Sequence, residues 1–437
     1  MLIAQQRKLQ PPRGMRDYEP GLWRIITSLR DKWINLARKW GYDPIETPVL
    51  EYLWILETKA GEQVRDEIYW FKDKAGRELG LRFDMTVPIA RYVAMNPQLP
   101  KPLRLCYFSR VWRYDEPQAG RWREFWQYGV ELIGSPHVEA DAEVIALFTE
   151  SYLEVDVDVE VRLFDRRIME SFLRKYGVPE EKKQKILGLI DKRWKIGEEE
   201  FTKQLYEQGL SEEQVNAIVE FTATRKPLKE SIDLIADVNG ELRGFYEELV
   251  SLLEAYRVIG KVFFDASIVR GLEYYTGLVF EAYTILGEEK WRRLALGGGG
   301  RYDELLGLYR RPGAPATGFA IGVDRVVMLL EELGLVKEEL EPLDVFVVSS
   351  RELYREAVEI AYRLRGNGLR VEIDVMRRRI KEALRYANKR RARILVYVAP
   401  REYSKGMVVV RDLLERRQET IELEKLTKYV VNLLRNK

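Results

Sequence analysis

Gln127, Gly129 and Glu131 lie two residues apart in the run EFWQYGVELI (residues 124–133), so in an extended chain the amide, the glycine and the carboxylate point to one side. Phe125 and Ile133 continue that side, while Trp126, Tyr128, Val130 and Leu132 form an apolar row suited to a core. A carboxylate and an amide flanking a residue without a side chain describe the floor of a small polar pocket, open at Gly129. In the preceding run, LRLCYFSRVWR, Ser109, Val111 and Arg113 share a face. The loop between the runs adds Arg121 and Arg123, so cations lie close in sequence to the polar face. The same alternation also fits a half-exposed hairpin with a polar outer side.

The inventory of reactive side chains narrows the chemistry. The chain has one histidine, His137, and one cysteine, Cys106. Neither a multi-His or multi-Cys metal cluster nor an internal disulfide can be built from them. Cys106 sits in an alternating strand and reads as a small core residue. His137 precedes an apolar-periodic segment and reads as a helix-start residue. What remains is arginine, carboxylates, tyrosine, backbone groups or a hard cation held by oxygens, which favours reactions at phosphate.

Other candidates punctuate the chain. Asp84, Met85 and Thr86 end a strand just before a helix expected to start near Pro88, a place for ligand contacts or for a helix cap. Arg270 and Gly271, followed by Tyr274, Tyr275 and Gly277, put a cation and two phenols in a short turn. Four glycines, Gly297 to Gly300, permit close approach of backbone to a ligand. Arg325 falls in the first turn of a helix, where the dipole does not favour a cation unless phosphates are its partners.

The elements that position these residues follow from periodicity. Leu22, Ile26, Leu29, Trp33, Leu36 and Trp40 recur at helical spacing over residues 21–40, and Gly41 stops the helix. The segment YDPIETPVLEYLWIL carries two prolines in an extended run, which suits an edge strand or a subunit contact. Residues 63–75 and the following GRELGLRFDMTVPIARYVA read as a hairpin running into a helix, and residues 139–153 as a helix. Residues 170–257 are almost wholly helical, residues 334–343 a charged linker, and residues 344–437 alternate strands with helices, the pattern of a mostly parallel sheet.

At 437 residues, with 46% hydrophobic and 32% charged residues, the chain has ample core for two or three compact domains. It contains no run of eighteen apolar residues, and the opening MLIAQQRKLQPPRG lacks the apolar centre of a signal peptide, so a cytoplasmic protein with no membrane contact is expected. Net charge is +2 overall but uneven. Residues 344–437 hold 23 Lys and Arg against 13 Asp and Glu, a balance of +10 against −8 for the rest. A basic module on an acidic body suggests a polyanionic partner, the alternative being a surface rich in ion pairs. Much of the surplus lies in residues 377–393, which the pattern predicts as one very basic helix.

With those residues in view, SRVWRYDEP…GRWREFWQ resembles motif 2 of the class II aminoacyl-tRNA synthetases. YDPIETPVLEY after the long helix, with Pro48, is similar to motif 1, a dimer contact in that family. GFAIGVDRVV is similar to motif 3. PQAGRWREFWQYGVELIG, LRFDMTVPIAR, the glycine run and above all RGLEYYTG resemble the histidyl members. Two departures are visible: Asp115 stands where the family usually carries Glu, and Glu273 where Asp is commoner.

The resemblance implies an α+β catalytic domain, an antiparallel sheet flanked by helices, over residues 1–169 and 258–333. It further implies a helical insertion at 170–257 near the tRNA acceptor arm, and an α/β anticodon-binding domain at 344–437. The implied reaction makes histidyl-adenylate from L-histidine and ATP, with Mg²⁺, and passes it to the 3′ end of tRNA(His), in a homodimer. Arg113 and Arg270 would be the catalytic cations. Asp84, Thr86, Gln127, Glu131, Tyr274 and Tyr275 would bind histidine; Arg113, Asp115, Phe125 and Arg325 would bind ATP; metal ligands are not identified. The rival is a non-catalytic paralogue that senses histidine, but such paralogues lack the anticodon domain.

Overall fold

The computed structural model describes residues 9–60, 65–116, 120–268, 275–309, 312–339 and 341–435. The chain divides into two compact units, Met1–Lys337 and Glu338–Lys437.

In the first unit, a helix over Pro20–Lys39 begins with proline, whose missing N–H is no loss there. Its apolar stripe buries Leu22, Ile25, Ile26, Leu29, Trp33 and Leu36, and Gly41 takes φ +80° just beyond its end. Three short strands, β2 (Leu50–Tyr52), β3 (Trp70–Lys72) and β4 (Glu78–Leu81), form a small sheet in the order β2-β4-β3. The main sheet is built from β1 (Asp43–Pro44), β5 (Leu103–Trp112), β6 (Glu124–Ile133), β7 (Val159–Asp165), β8 (Arg225–Pro227), β9 (Val262–Asp265), β10 (Leu278–Thr284), β11 (Ala295–Arg301) and β12 (Ala316–Gly322). Their order is β1-β5-β6-β12-β11-β10-β7-β9-β8.

Six strands, from β5 across to β7, pair antiparallel, as expected. The edges depart from that pattern: β1 runs parallel to β5, and β9 parallel to β7. The second pairing follows from the long helical excursion between β7 and β9, because parallel neighbours need a crossover of a dozen or more residues. That excursion is helical except for β8, three exposed residues that pair with β9 and so extend the sheet.

One face of the sheet is covered by helices. Tyr128 stacks on Trp33 with ring centroids 5.1 Å apart, and Phe148 of the helix Val138–Leu153 packs against Phe280 and Phe319. Cys106 lies in this core with its thiol pushed up to about 12 by burial, so it is inert packing. His137 is the N-cap of the helix Val138–Leu153, as expected, and contributes its carbonyl rather than its ring: the oxygen accepts from Arg301 Nη2 at 3.2 Å.

Arg301 closes the glycine strand onto that helix. Its guanidinium donates to Asp141 at 2.9–3.1 Å and to the Ser135 carbonyl at 3.0 Å, with both charged side chains nearly buried. Burial pushes the Asp141 carboxyl up to about 6 against the opposing pull of Arg301. A value raised above the ordinary 3.8 means that the folded state holds the proton more tightly, so the contribution to stability from Asp141 is fullest below pH 4 and fades as pH rises through about 6. Replacing Arg301 with methionine strands the carboxylate, so Arg301→Met should cost roughly 3 to 5 kcal/mol at pH 8 and less at pH 5, measured by denaturant unfolding.

The second unit is a five-stranded sheet of β13 (Val345–Ser349), β14 (Val371–Ile373), β15 (Ile394–Val398), β16 (Met407–Asp412) and β17 (Gln418–Glu422), ordered β14-β13-β15-β16-β17. The first three strands are parallel and the last two antiparallel. Leu343 is buried in this unit beside Phe346 and Leu395. The basic helix is shorter than predicted, Ile380–Lys389. Asp374 accepts from the backbone N–H of Arg378 at 2.6 Å and pins the preceding turn, with Arg377 at φ +53°; Arg391 at φ +54° marks the other end. Ion pairs tie Arg378 to Asp374, Arg390 to Glu372, Arg391 to Glu339 and Arg393 to Asp412. Arg377, Arg379, Lys381, Arg385 and Lys389 remain exposed.

Candidate functional site

On the face of the main sheet opposite the helix layer, cross-strand register gathers the polar row. Leu105, Tyr107, Ser109 and Val111 of β5 pair with Glu131, Gly129, Gln127 and Phe125 of β6. Gly318, Ala320 and Gly322 of β12 lie opposite Glu131, Gly129 and Gln127, and Gly298 and Gly300 of β11 continue the rows. Two sides of the glycine run do different work. A side chain on Gly297 or Gly299 would strike Tyr152, Phe280 and the backbone of β12, whereas one on Gly300 would strike the ring of Tyr275 and one on Gly318 the Glu131 carboxylate. Glycine there makes space for functional groups as well as for backbone.

Glu131 is 2% exposed, and its oxygens are held by two hydroxyls. Thr86 Oγ1 donates to Oε1 at 2.7 Å, and the Tyr302 hydroxyl donates to Oε2. Gln127 is 6% exposed, and its Oε1 lacks a hydrogen-bond partner among the described residues. A buried carbonyl oxygen in that state costs about 1 to 3 kcal/mol unless a ligand donates to it. The space beside Gly129, expected to be open, is filled: a Cβ there would meet the phenol of Tyr107 across the β5–β6 pair. Ala320 and Gly298 are the small residues that continue the same row.

Asp84 does cap the helix Thr86–Met95, accepting the Val87 N–H at 3.1 Å, and its charge also reaches the site. Arg113 leaves the end of β5, donates Nε to the Phe83 carbonyl at 3.0 Å and places its guanidinium 5.4 Å from the centre of the Phe125 ring. Burial, then the negative charge of Glu131, pushes the phenols of Tyr107 and Tyr275 up; Asp84 adds to this and Arg113 opposes it. Those shared fields show that Asp84, Arg113, Glu131, Tyr107 and Tyr275 form one cluster, with both tyrosines neutral donors at pH 7. Arg270 and Tyr274 lie outside the described residues.

Two candidates sit at the loop joining β5 to β6. Asp115 Oδ2 is 3.6 Å from Arg121 Nε, and the Asp115 carbonyl accepts from Arg123, which is buried over the Tyr114 ring. Arg325, at the start of the helix Val323–Glu332, donates to the Gly120 carbonyl at 3.1 Å and the Ala295 carbonyl at 2.6 Å. Backbone carbonyls thus stabilise a cation at a helix start. Its neighbour Asp324 is 2% exposed and accepts from Arg16 at 2.6 Å, Tyr18 at 3.0 Å and the Trp126 N–H at 2.8 Å, fixing the N-terminal segment to β6.

Tyr107 and Tyr302 are absent from the candidates drawn from the sequence. Tyr302 follows the glycine run in GGGGRYD, and its position one residue beyond a strand built for ligand approach was the available signal. Among the described residues no group of three or more His, Cys, Asp or Glu is placed to hold a metal ion.

A family model described as histidyl-tRNA synthetase matches residues 14–326, and one described as anticodon binding domain matches residues 344–433. The chain is 44% identical over 412 residues to the histidine–tRNA ligase of Pyrobaculum islandicum, covering 94% of this chain and 95% of that one. It is 37% identical over 431 residues to that of Pyrococcus horikoshii, covering 97% and 99%. Among solved structures, histidyl-tRNA synthetase from Nostoc sp. PCC 7120 superposes with a TM-score of 0.82 at 25% identity, over 98% of this chain and 100% of that one.

Proposed function

The chain belongs to the histidyl-tRNA synthetase family, and from that premise we propose how its residues charge tRNA(His) with histidine. The reaction is that of an aminoacyl-tRNA ligase using ATP. The carboxylate of histidine attacks the α-phosphate, pyrophosphate leaves, and the adenylate is passed to the terminal ribose of the tRNA. Negative charge builds on phosphate oxygens in the first step, so fixed cations are the natural catalysts. Arg113, held by the Phe83 carbonyl against Phe125, fills that role with Arg270. Phe125, Asp115 and Arg325 seat the nucleotide where the loop between β5 and β6 meets β11.

The buried Glu131, clamped by Thr86 and Tyr302 on the face that carries the unsatisfied Gln127 oxygen, is the observation that carries the assignment of the amino-acid pocket. Glu131 accepts a ring N–H of histidine, Gln127 and Asp84 accept from its amino group, and the neutral Tyr275, with Tyr274, completes the recognition. A site of polar groups left unpaired by the wrong amino acid rejects it by roughly 10⁴-fold. Glu131→Ala should raise the KM for histidine about 10- to 100-fold in ATP–pyrophosphate exchange while leaving that for ATP within about twofold. Equal effects on both substrates would remove Glu131 from the pocket.

Mg²⁺ would enter with the nucleotide and neutralise charge on its phosphate oxygens. The acidic body and basic second unit divide the work, with residues 344–437 reading the anticodon and the helical segment 170–257 lying along the acceptor arm. Among the described residues no helix is long and apolar enough to cross a membrane. ATP and tRNA(His) are cytoplasmic substrates, and the enzyme works where they are. The exposed Leu50, Tyr52 and Phe71 share one face of the small sheet and, with Val49 and Trp54 beside it, form an apolar surface that a second copy covers. Sedimentation at twice the 51.4 kDa chain mass is the expected result; a single-chain mass at micromolar concentration would reject the dimer.

A further inference from the structure

We propose that Arg16 is a positioning residue for the nucleotide, holding the returning arm of the loop between β5 and β6 against the start of the helix Val323–Glu332. This rests on the assignment of Asp115 and Arg325 to ATP.

Residues 9–19 contain no helix or strand before the helix Pro20–Lys39, yet they are tied to both arms of that loop. On the outgoing arm Glu116 pairs with Arg13 at 2.9 Å, but the side chains are 74% and 73% exposed, and such a pair holds little. The returning arm, residues 120–123, is held more firmly. The Gly14 carbonyl accepts the Arg123 N–H at 2.7 Å, and the Arg16 guanidinium lies 4.6 Å from the centre of the Trp122 ring. The same guanidinium donates to the nearly buried carboxylate of Asp324 at 2.6 Å. Tyr18 completes the mount: its ring centre is 5.1 Å from the guanidinium, and its hydroxyl donates to the same Asp324 oxygen at 3.0 Å. Arginine suits this place because one planar cation can pair with a carboxylate while its face covers an indole.

Asp324 and Arg325 are consecutive, and they reach the returning arm by separate routes. Arg325 donates directly to the Gly120 carbonyl, whereas Asp324 reaches Trp122 through Arg16, 308 residues away in sequence. The spacing between loop and helix start is therefore set at two points. The outgoing arm follows, since the Asp115 carbonyl accepts from Arg123 at 2.9 Å. A loop already held in its binding geometry spares the nucleotide the cost of ordering it, and one held part of the time weakens apparent affinity by that fraction. Gln127 and Glu131 are placed by ladder pairing of β6 with β5 and β12, so the histidine pocket should not feel the change.

The test is a double-mutant cycle in the full-length enzyme, read by ATP–pyrophosphate exchange. Arg16→Met removes both contacts and should raise the KM for ATP about 10-fold, with the KM for histidine within about twofold. Trp122→Leu leaves the ion pair with Asp324 intact; among the described residues the indole N–H has no hydrogen-bond partner, so this change removes the ring face alone. It should raise the KM for ATP about fivefold. The double variant should stay near 10-fold rather than reach the roughly 50-fold of independent effects. A thermal unfolding midpoint close to that of the parent confirms that each variant is folded, and if Arg16→Met does not fold, Trp122→Leu carries the test alone. If a folded Arg16→Met or Trp122→Leu leaves the KM for ATP within twofold while Arg325→Ala raises it, the role of Arg16 is overturned and the nucleotide assignment stands. The role is equally overturned if the KM for histidine rises in step with that for ATP, or if the two single effects multiply. If Arg325→Ala and Asp115→Ala both leave the KM for ATP unchanged, the nucleotide assignment itself fails, and the role of Arg16 with it.

Discussion

Arg113→Ala should lower the rate of histidyl-adenylate formation about 10²- to 10³-fold, the usual cost of removing one fixed donor from a site where negative charge develops. The guanidinium is preorganised: its Nε is anchored 3.0 Å from the Phe83 carbonyl, and its cation lies over the Phe125 ring, so little reorganisation is needed when the phosphate arrives. The loss should fall on kcat more than on the KM for histidine, because the phosphate charge grows in the transition state while the amino-acid pocket is untouched. Arg113→Lys should recover little, since a point charge cannot keep the carbonyl contact and reach two phosphate oxygens together. Single-turnover adenylate formation at saturating ATP measures the effect. A folded Arg113→Ala enzyme within threefold of the parent would remove Arg113 from the chemistry.

A chain ending at Lys337 should still make adenylate from histidine and ATP but charge tRNA(His) at least roughly 100-fold less efficiently. Every residue assigned to the chemistry lies in the first unit, which has its own core, and the cut falls between the two compact units. The second unit carries the exposed Arg377, Arg379, Lys381, Arg385 and Lys389, and removing cations that face phosphates should flatten the dependence of affinity on salt. Pyrophosphate exchange and tRNA charging, compared at 50 and 200 mM salt, separate the two activities. A truncated, folded protein that charges tRNA(His) as well as the parent, with the same salt dependence, would show that the second unit is not the anticodon reader.

Much of the site was legible because its carriers are local. The alternation along residues 124–133 correctly puts Gln127 and Glu131 on one face and Tyr128 and Val130 in the core, since period two depends only on the strand being a strand. Gly129 was misread for the opposite reason: whether a glycine leaves a hole depends on its neighbour across the ladder, and Tyr107 is paired with it only by the register of a hairpin whose loop length sets that register. Tyr302 was overlooked because its partner Glu131 is brought to it only by the β6–β12–β11 order, which no local pattern encodes. In the basic segment, composition predicted charge well and extent badly. Asp374 holds a turn in place of the first part of a longer helix, and four of the cations pair with Glu339, Glu372, Asp374 and Asp412, pairings that a net charge cannot show because it does not say which cation meets which acid.

The glycine floor bears on inhibitor resistance. A molecule seated on this face would find the Tyr275 ring over Gly300 and the Glu131 carboxylate over Gly318, and a strain escaping it by changing that floor would need to add a side chain. At Gly298 the new atom would sit 2.9 Å from the Phe280 carbonyl, at Gly300 it would meet the Leu278 carbonyl and the Tyr275 ring, and at Gly318 the Val130 carbonyl and Glu131. Each escape route therefore distorts the sheet or the residues assigned to the substrate, so resistance by substitution under the ligand carries a fitness penalty, and selection would be driven to the rim of the pocket or to higher expression instead.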